Sequence, residues 1–175
     1  MNRKAQGFAL IDLIFVCGII GLLCGIALPR LTLAKSAAGA ASAIGSLRSV
    51  NSAELTFALA CGAGFYAPNL TTLGVAPPGS TEPFIGGGLG AADTVVKSAY
   101  IVKLEATAFA GAPPSCNGLG GGEAGQGFKA GADPTDVQNP RHFATNANNA
   151  VYEDTASLYV GMPESGEPVV GHPLR

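Results

Sequence analysis

The most informative feature of this sequence is an apolar run near its amino terminus. The run extends from Phe8 to Leu28, contains 21 residues and carries a single charge, Asp12. As an α-helix with a rise of ~1.5 Å per residue it would be ~31 Å long, about the thickness of a bilayer's hydrocarbon core. We therefore predict a helix that can span a membrane. A carboxylate near the bilayer centre costs on the order of 2–3 kcal/mol, so Asp12 indicates a function.

Two other interpretations of the apolar run compete with a retained membrane helix. A cleaved secretory signal has a shorter apolar region that is followed at once by small residues. Here the nearest small-residue site, residues 38–40, lies well beyond Pro29. A lipid anchor at Cys17 or Cys24 needs a small residue directly before the cysteine, and both cysteines follow bulky residues. The sequence favours neither alternative.

The residues around the run form a recognisable motif. Two basic residues precede Gly7 and Phe8, Asp12 is the fifth residue after the glycine, and the run is followed by Pro29. This pattern resembles the prepilin-type cleavage and methylation motif of type IV pilins and type II secretion pseudopilins. The resemblance implies cleavage between Gly7 and Phe8, N-methylation of Phe8, and an apolar helix that stays in the mature protein. The family's usual residue at the acidic position is glutamate, which is one methylene longer than Asp12.

Asp12 has a predicted partner in a neighbouring subunit. Phe8 and Asp12 lie four residues apart and share a helix face. In a polymer of parallel helices, Asp12 of one subunit could meet the protonated amine of Phe8 in the next, which would neutralise both charges inside an apolar core. The alternative is that Asp12 reaches the headgroup region and has no specific partner. Because the surrounding motif matches the family, we predict the assembly role.

The helix is predicted to continue beyond the membrane. Pro29 removes a backbone donor and should kink the helix without ending it, because helix-compatible sequence follows. Residues 30–61 have an apolar arc at a period of 3.6 residues, and Gly62 is placed to end the helix. We expect this half to pack on a globular head, with Glu54 paired or solvated at the edge of the head. The members of the arc are Ala43, Ile44, Leu47, Val50, Phe57 and Cys61.

The sequence after Gly62 predicts a small antiparallel sheet. Residues 98–107 alternate as in a half-buried strand, residues 143–145 and 151–153 read as a hairpin, and residues 126–129 are a weaker strand candidate. We predict an α+β fold with three or four strands packed on the helix. The resemblance makes this a type IV pilin-like fold. The predicted organisation is a leader (residues 1–7), a transmembrane or filament-core helix (8–29), and an amphipathic helix with an exported head (30–175).

The four cysteines divide into two pairs. Cys17 and Cys24 are ~10 Å apart along one helix, too far for a disulfide, and are predicted to be small packing residues. Cys61 and Cys116 belong to the head, which matures in an oxidising compartment if the apolar run exports it. We predict a Cys61–Cys116 disulfide, and the alternative is two buried free thiols.

Charge and motifs indicate a chain without catalytic chemistry. The formal net charge is −2, and it becomes −4 once the two basic leader residues are removed, which argues against general nucleic-acid binding. No metal-binding or nucleophile motif is present, so we predict no enzymatic activity and no cofactor. Calcium is the one metal considered, because some secretion pseudopilins bind it in the head, but the spacing of the acidic residues matches no EF-hand. The candidate ligands are Asp133, Asp136, Glu153 and Asp154.

The resemblance predicts a structural subunit of a type IV filament, and we favour a pseudopilin-like subunit of a type II secretion system. It implies as partners further copies of the chain, minor pilins or pseudopilins, a prepilin peptidase, and an assembly platform protein with its ATPase motor. The subunit would cross the bacterial inner membrane once, with its head in the periplasm, before entering a periplasmic or extracellular filament. One alternative is a major or minor pilin of a type IV pilus. A remoter one is a membrane-anchored binding module that never polymerises.

Overall fold

The computed structural model describes residues 10–136 and 139–174. These residues form two compact units, residues 10–37 and residues 38–174. Helix α1, Leu10–Ala60, supplies the whole of the first unit and continues into the second. It passes through Pro29, so this proline does not end the helix, as predicted. The predicted first helical residue, Phe8, lies outside the described residues.

The second unit contains one antiparallel sheet. Each strand pairs with the next in the chain, so the sheet order follows the sequence. The α+β class is therefore confirmed, with six strands where three or four were predicted. Besides the strands, the unit contains a short helix α2, Leu70–Leu73, and a 3-10 turn, Leu89–Ala91. The strands are β1 Thr94–Lys97, β2 Tyr100–Glu105, β3 Lys129–Pro134, β4 His142–Asn146, β5 Val151–Asp154 and β6 His172–Pro173.

The predicted strands have different outcomes. The hairpin is confirmed, since β4 pairs with β5 around residues 147–150. The strand predicted from Ser98 begins at Tyr100, because Ser98 and Ala99 form the turn that connects β1 with β2. The weaker candidate at 126–129 is wrong apart from Lys129, where β3 begins.

One face of the sheet packs on α1. The buried α1 residues Ala43, Leu47, Val50 and Phe57 share a single core with alternate residues of the strands. In β2 these are Tyr100, Val102 and Leu104, which confirms the predicted alternation of this strand. The predicted apolar arc of α1 is thus the surface on which the head is built.

The opposite face of the sheet is covered by the segment from residue 155 to residue 171, which we call the strap. Its Leu158 and Met162 form a second core with Ala144 of β4 and Tyr152 of β5. Adjacent residues of β4 belong to different cores, since Phe143 lies in the α1 core and Ala144 in the strap core. Because successive side chains of a strand point to opposite faces, α1 and the strap lie on opposite sides of the sheet.

Two residues of the β1–β2 turn have strained backbone conformations, and a glycine substitution would relieve the strain. Ser98 and Ala99 have φ values of 51° and 63°, a region that favours glycine. We expect Ala99→Gly to raise the free energy of unfolding by about 0.5–1 kcal/mol, because relief of the left-handed strain exceeds the entropy lost by glycine. Chemical denaturation measures the change. The matched control is Ala92→Gly, because Ala92 has φ −158° and should lose stability on the same substitution. An unchanged or lowered stability of Ala99→Gly would contradict the prediction.

Candidate assembly surface

Asp12 lies in the first turn of α1, and its side chain is exposed. It is the only charged residue between residues 10 and 29. A carboxylate near a helix amino terminus is favoured by the helix dipole, which is consistent with its position in the first turn. The predicted processing residues, Gly7 and Phe8, lie outside the described residues. The cleavage and the pairing of Asp12 with Phe8 therefore remain predictions.

The first unit exposes an unusually apolar surface. Leu10, Ile11 and Phe15 are each about 70% exposed, and the other large apolar residues as far as Leu33 are also exposed. By length and composition α1 could span a membrane, and none of its most apolar stretch is buried. Exposed apolar surface of this extent is unfavourable in water, so this part of α1 requires a lipid or protein environment.

One side of this apolar helix is nearly without side chains. Gly18, Gly21 and Gly25 have no neighbouring atom within 4 Å of the place a Cβ would occupy. Cys17 and Cys24 of the same helix are free and exposed. Small residues at spacings of three and four allow two helices to approach closely in an apolar medium.

The carboxyl-terminal end of α1 is fastened to the head by a disulfide. Cys61 and Cys116 are bonded, with their Cα atoms 4.9 Å apart, and this is the pair predicted from the sequence. The Cys116 N–H also donates to the Cys61 carbonyl oxygen at 3.2 Å. Gly62 follows directly, and a side chain there would collide with the Phe65 carbonyl oxygen. This close approach explains why a glycine stands at the end of the helix.

Glu54 is fully buried, so the expectation of a carboxylate at the edge of the head is wrong. Its Oε2 accepts a hydrogen bond of 2.9 Å from the Ala67 N–H, and its Oε1 has no partner among the described residues. Burial raises the pKa of Glu54 to about 8, and the Ala67 hydrogen bond offsets only part of this rise. The carboxyl group is therefore mainly protonated at neutral pH, inside the interface between α1 and the segment that follows it.

The acidic residues considered for calcium do not converge. Asp133 accepts from Ser157 Oγ and contacts His142 Nδ1, both at 2.8 Å. Glu153 is held by two hydrogen bonds from Arg141, which lower its pKa, and Asp154 accepts from the Thr155 backbone. No group of three or more His, Cys, Asp or Glu able to hold a metal occurs in the part of the chain that the structure describes.

Two lysines of the sheet lie around one aromatic ring of the strap. The ammonium groups of Lys103 and Lys129 lie 6.0 and 5.4 Å from the centre of the Tyr159 ring. Glu105 bridges Lys129 and the Tyr159 hydroxyl, at 3.5 and 3.2 Å. Burial and the nearby Glu105 raise the pKa of Tyr159 to about 12. These contacts hold the strap on the sheet and leave neither lysine in an isolated basic patch.

Of the predicted site residues that the structure describes, Asp12 lies in the first turn of α1, Cys61 directly follows its last residue, and Cys116 lies in the head. Sequence reasoning missed the strap. Its one signal is the pair Leu158 and Met162, four residues apart in an otherwise turn-rich segment. Comparisons of the chain with protein-family models, curated proteins and solved structures each found no match.

Proposed function

We propose that this protein is a structural subunit of a type IV-like filament, most closely a pseudopilin of a type II secretion system. One observation carries the proposal: a single helix of 51 residues has an exposed apolar first half, with one acid in its first turn, and a second half built into a head. An enzyme or a soluble binding module does not need such a helix. A filament subunit needs both halves in one element.

In the proposed mechanism, the apolar half of α1 leaves the lipid bilayer and packs against the apolar helices of other subunits. The prepilin peptidase removes residues 1–7, and the mature subunit waits in the inner membrane with residues 8–29 in lipid. The assembly motor then moves the subunit so that its apolar helix packs against those of other copies. Because the helix passes from lipid to protein without exposure to water, the apolar surface stays buried throughout. The flat side around Gly21 gives the helices room to pack closely.

The α+β head supports a type IV pilin-like fold, in which an antiparallel sheet packs on the second half of the helix. The disulfide between Cys61 and Cys116 supports export, because such bonds persist in oxidising compartments. The proposed orientation places the basic leader in the cytoplasm, in agreement with the positive-inside rule, and the head in the periplasm. A pilus subunit would share all of these features, so genes for a secretin or a retraction motor beside this one would separate the two branches.

The mature amino terminus tests the proposal directly. We expect intact-mass spectrometry of the membrane-bound subunit to give a chain that begins at N-methylated Phe8, and electron microscopy of sheared material to show filaments. Gly7→Leu is the control, because a bulky residue at the cleavage position should leave the precursor uncut. A chain beginning at Ala41, or one acylated at Cys17 or Cys24, would contradict the proposal. A chain that begins at Phe8 and stays monomeric would favour the membrane-anchored module.

A further inference from the structure

The outer face of α1 in the second unit is exposed and has a regular pattern. Exposed residues follow one another at alternating spacings of four and three, which places them in one line along the helix. Three of the six are small, and the line ends in the two exposed leucines Leu55 and Leu59. Arg48 is its one charged residue. We call this line the helix seam; its members are Ala41, Gly45, Arg48, Ser52, Leu55 and Leu59.

A second exposed apolar group lies on the strap. Val160 is 84% exposed and Val169 is 98% exposed, with Val170 beside it. The Cβ position of Gly171 lies 3.1 Å from the Leu158 side chain, which brings the end of the strap back to its beginning. Glu167 is exposed two residues before Val169. We call Val160, Glu167, Val169 and Val170 the strap patch.

The strap patch is held in a fixed position. The side-chain amide of Asn146 in β4 donates to the carbonyl oxygens of Pro163 and Gly166, at 3.0 and 2.7 Å. The Gly166 N–H in turn donates to Asn148 Oδ1 at 3.2 Å. These bonds fix the backbone directly before Glu167. A rigid apolar surface loses little conformational entropy when it binds, and this favours its contact with another protein surface.

The helix seam and the strap patch are complementary. Each combines exposed aliphatic residues with one charge, and the charges are opposite: Arg48 on the seam and Glu167 on the patch. Neither charge has an ion-pair partner within residues 10–136 and 139–174. Self-pairing of the seam about a two-fold axis parallel to the helix would place Arg48 against Arg48, and the patch would likewise oppose Glu167 to itself. Complementary charges favour the mixed contact and disfavour both self-contacts.

The two surfaces lie on opposite sides of the sheet, since α1 packs on one face and the strap on the other. A contact between different surfaces of identical subunits is heterologous, and it repeats without limit unless the rotation closes a ring. We propose that the helix seam of one head binds the strap patch of a second copy of this chain, with Arg48 paired to Glu167. This inference rests on the proposed filament function. It names a contact between the heads of neighbouring subunits that accompanies the packing of their apolar helices.

A charge swap tests the inference. We expect Arg48→Glu and Glu167→Arg each to lower the yield of sheared filaments by about tenfold or more, because each places like charges together in the contact. The double variant should recover filaments to within about threefold of the unmodified chain, as coupled residues do in a double-mutant cycle. The control combines Arg48→Glu with Glu82→Arg. Its filament yield should not recover, because Glu82 is exposed and lies outside both surfaces. Yields are normalised to the processed subunit in the membrane.

The possible outcomes distinguish a failure of the seam-to-patch contact from a failure of the proposed filament function. Filaments that tolerate both single reversals, or a double variant without recovery, would overturn the seam-to-patch contact and leave the filament function standing. An unmodified subunit that forms no filaments would overturn the proposed function and with it this inference.

A cross-linking measurement does not depend on reversing a charge. A chain with Leu55→Cys and a chain with Val169→Cys carry different tags and are produced together. Both chains also carry Cys17→Ala and Cys24→Ala, so that the free native cysteines cannot form the conjugate. We expect oxidised filaments to contain a conjugate with both tags, because the proposed contact brings these two residues of neighbouring copies together. Thr56→Cys replaces Leu55→Cys in the control, since Thr56 is also exposed but lies about 100° further round the helix. Filaments without the mixed conjugate, or with equal conjugate from the control, would contradict the contact.

Discussion

We expect Asp12→Ala to abolish filaments and to leave cleavage between Gly7 and Phe8 intact. In the proposed filament the Asp12 carboxylate neutralises the amine of Phe8 in the next subunit. Removing one member of a buried ion pair leaves the other charge unpaired, which costs about 3–5 kcal/mol. Even the lower value corresponds to more than a hundredfold loss in the subunit association constant. The measurements are the yield of sheared filaments and the mass of the subunit in the membrane.

Two further substitutions of Asp12 separate charge from shape. Asp12→Asn keeps the size of the side chain and removes its charge, so we expect it to behave like the alanine variant. Asp12→Glu keeps the charge and adds one methylene, and we expect it to form filaments. If Asp12→Ala gave an unchanged filament yield, the carboxylate would have no assembly role, and the alternative in which it only reaches the headgroup region would be favoured.

The long helix and the central hairpin were predictable because their signals are local. The apolar run fixes the first half of α1, and the 3.6-residue spacing of Leu47, Val50 and Phe57 fixes the side that is buried. The β4–β5 hairpin was predictable because asparagines at its turn tolerate positive φ, and Asn149 has a φ of 60°. In each case neighbouring residues contain the whole pattern.

Two of the missed strands, β3 and β6, carry no such local pattern. Residues 130–132 of β3 read Ala-Gly-Ala, and small residues show no alternation between apolar and polar side chains. Gly131 is small for a tertiary reason, because a side chain there would lie 2.8 Å from the Tyr159 ring of the strap. Strand β6 has only two residues, one of them a proline, and is defined by its pairing with β5. Its existence depends on a chain reversal through the strap that no short segment of sequence specifies.

The burial of Glu54 could not be predicted for a related reason. Its position within the apolar arc of α1 indicated proximity to the head but gave no information on what covers it. The cover comes from the chain directly after α1, where Cys61 and the close-packed Gly62 turn the backbone and Ala67 reaches the carboxylate. An acid in an apolar arc can therefore be identified from the sequence, whereas its protonation state depends on a turn formed elsewhere.

The buried carboxyl makes the stability of the head depend on pH. Glu54 has a pKa of about 8 in the folded protein and an ordinary value of 4.5 when it is exposed. Below pH 4.5 both states bind the proton, and between about pH 4.5 and 8 the folded state alone retains it. Folding therefore takes up a proton in this range, and the free energy of unfolding falls by about 1.4 kcal/mol per pH unit as pH rises. Above about pH 8 both states are ionised, and this contribution no longer changes.

We expect Glu54→Gln to remove this dependence. Glutamine keeps an acceptor for the Ala67 N–H but does not titrate, so the stability of the variant relative to the unmodified chain should rise by about 4 kcal/mol between pH 5 and pH 8. Denaturation of the detergent-solubilised chain, followed by the near-ultraviolet circular dichroism of its tyrosines, measures the difference because the chain contains no tryptophan. Glu82→Gln controls for the change in net charge, and as an exposed substitution it should stay within about 0.5 kcal/mol. If the two variants gave parallel curves, Glu54 would not hold its proton in the folded head, and the interface between α1 and residues 62–67 would have to admit water or a counter-charge.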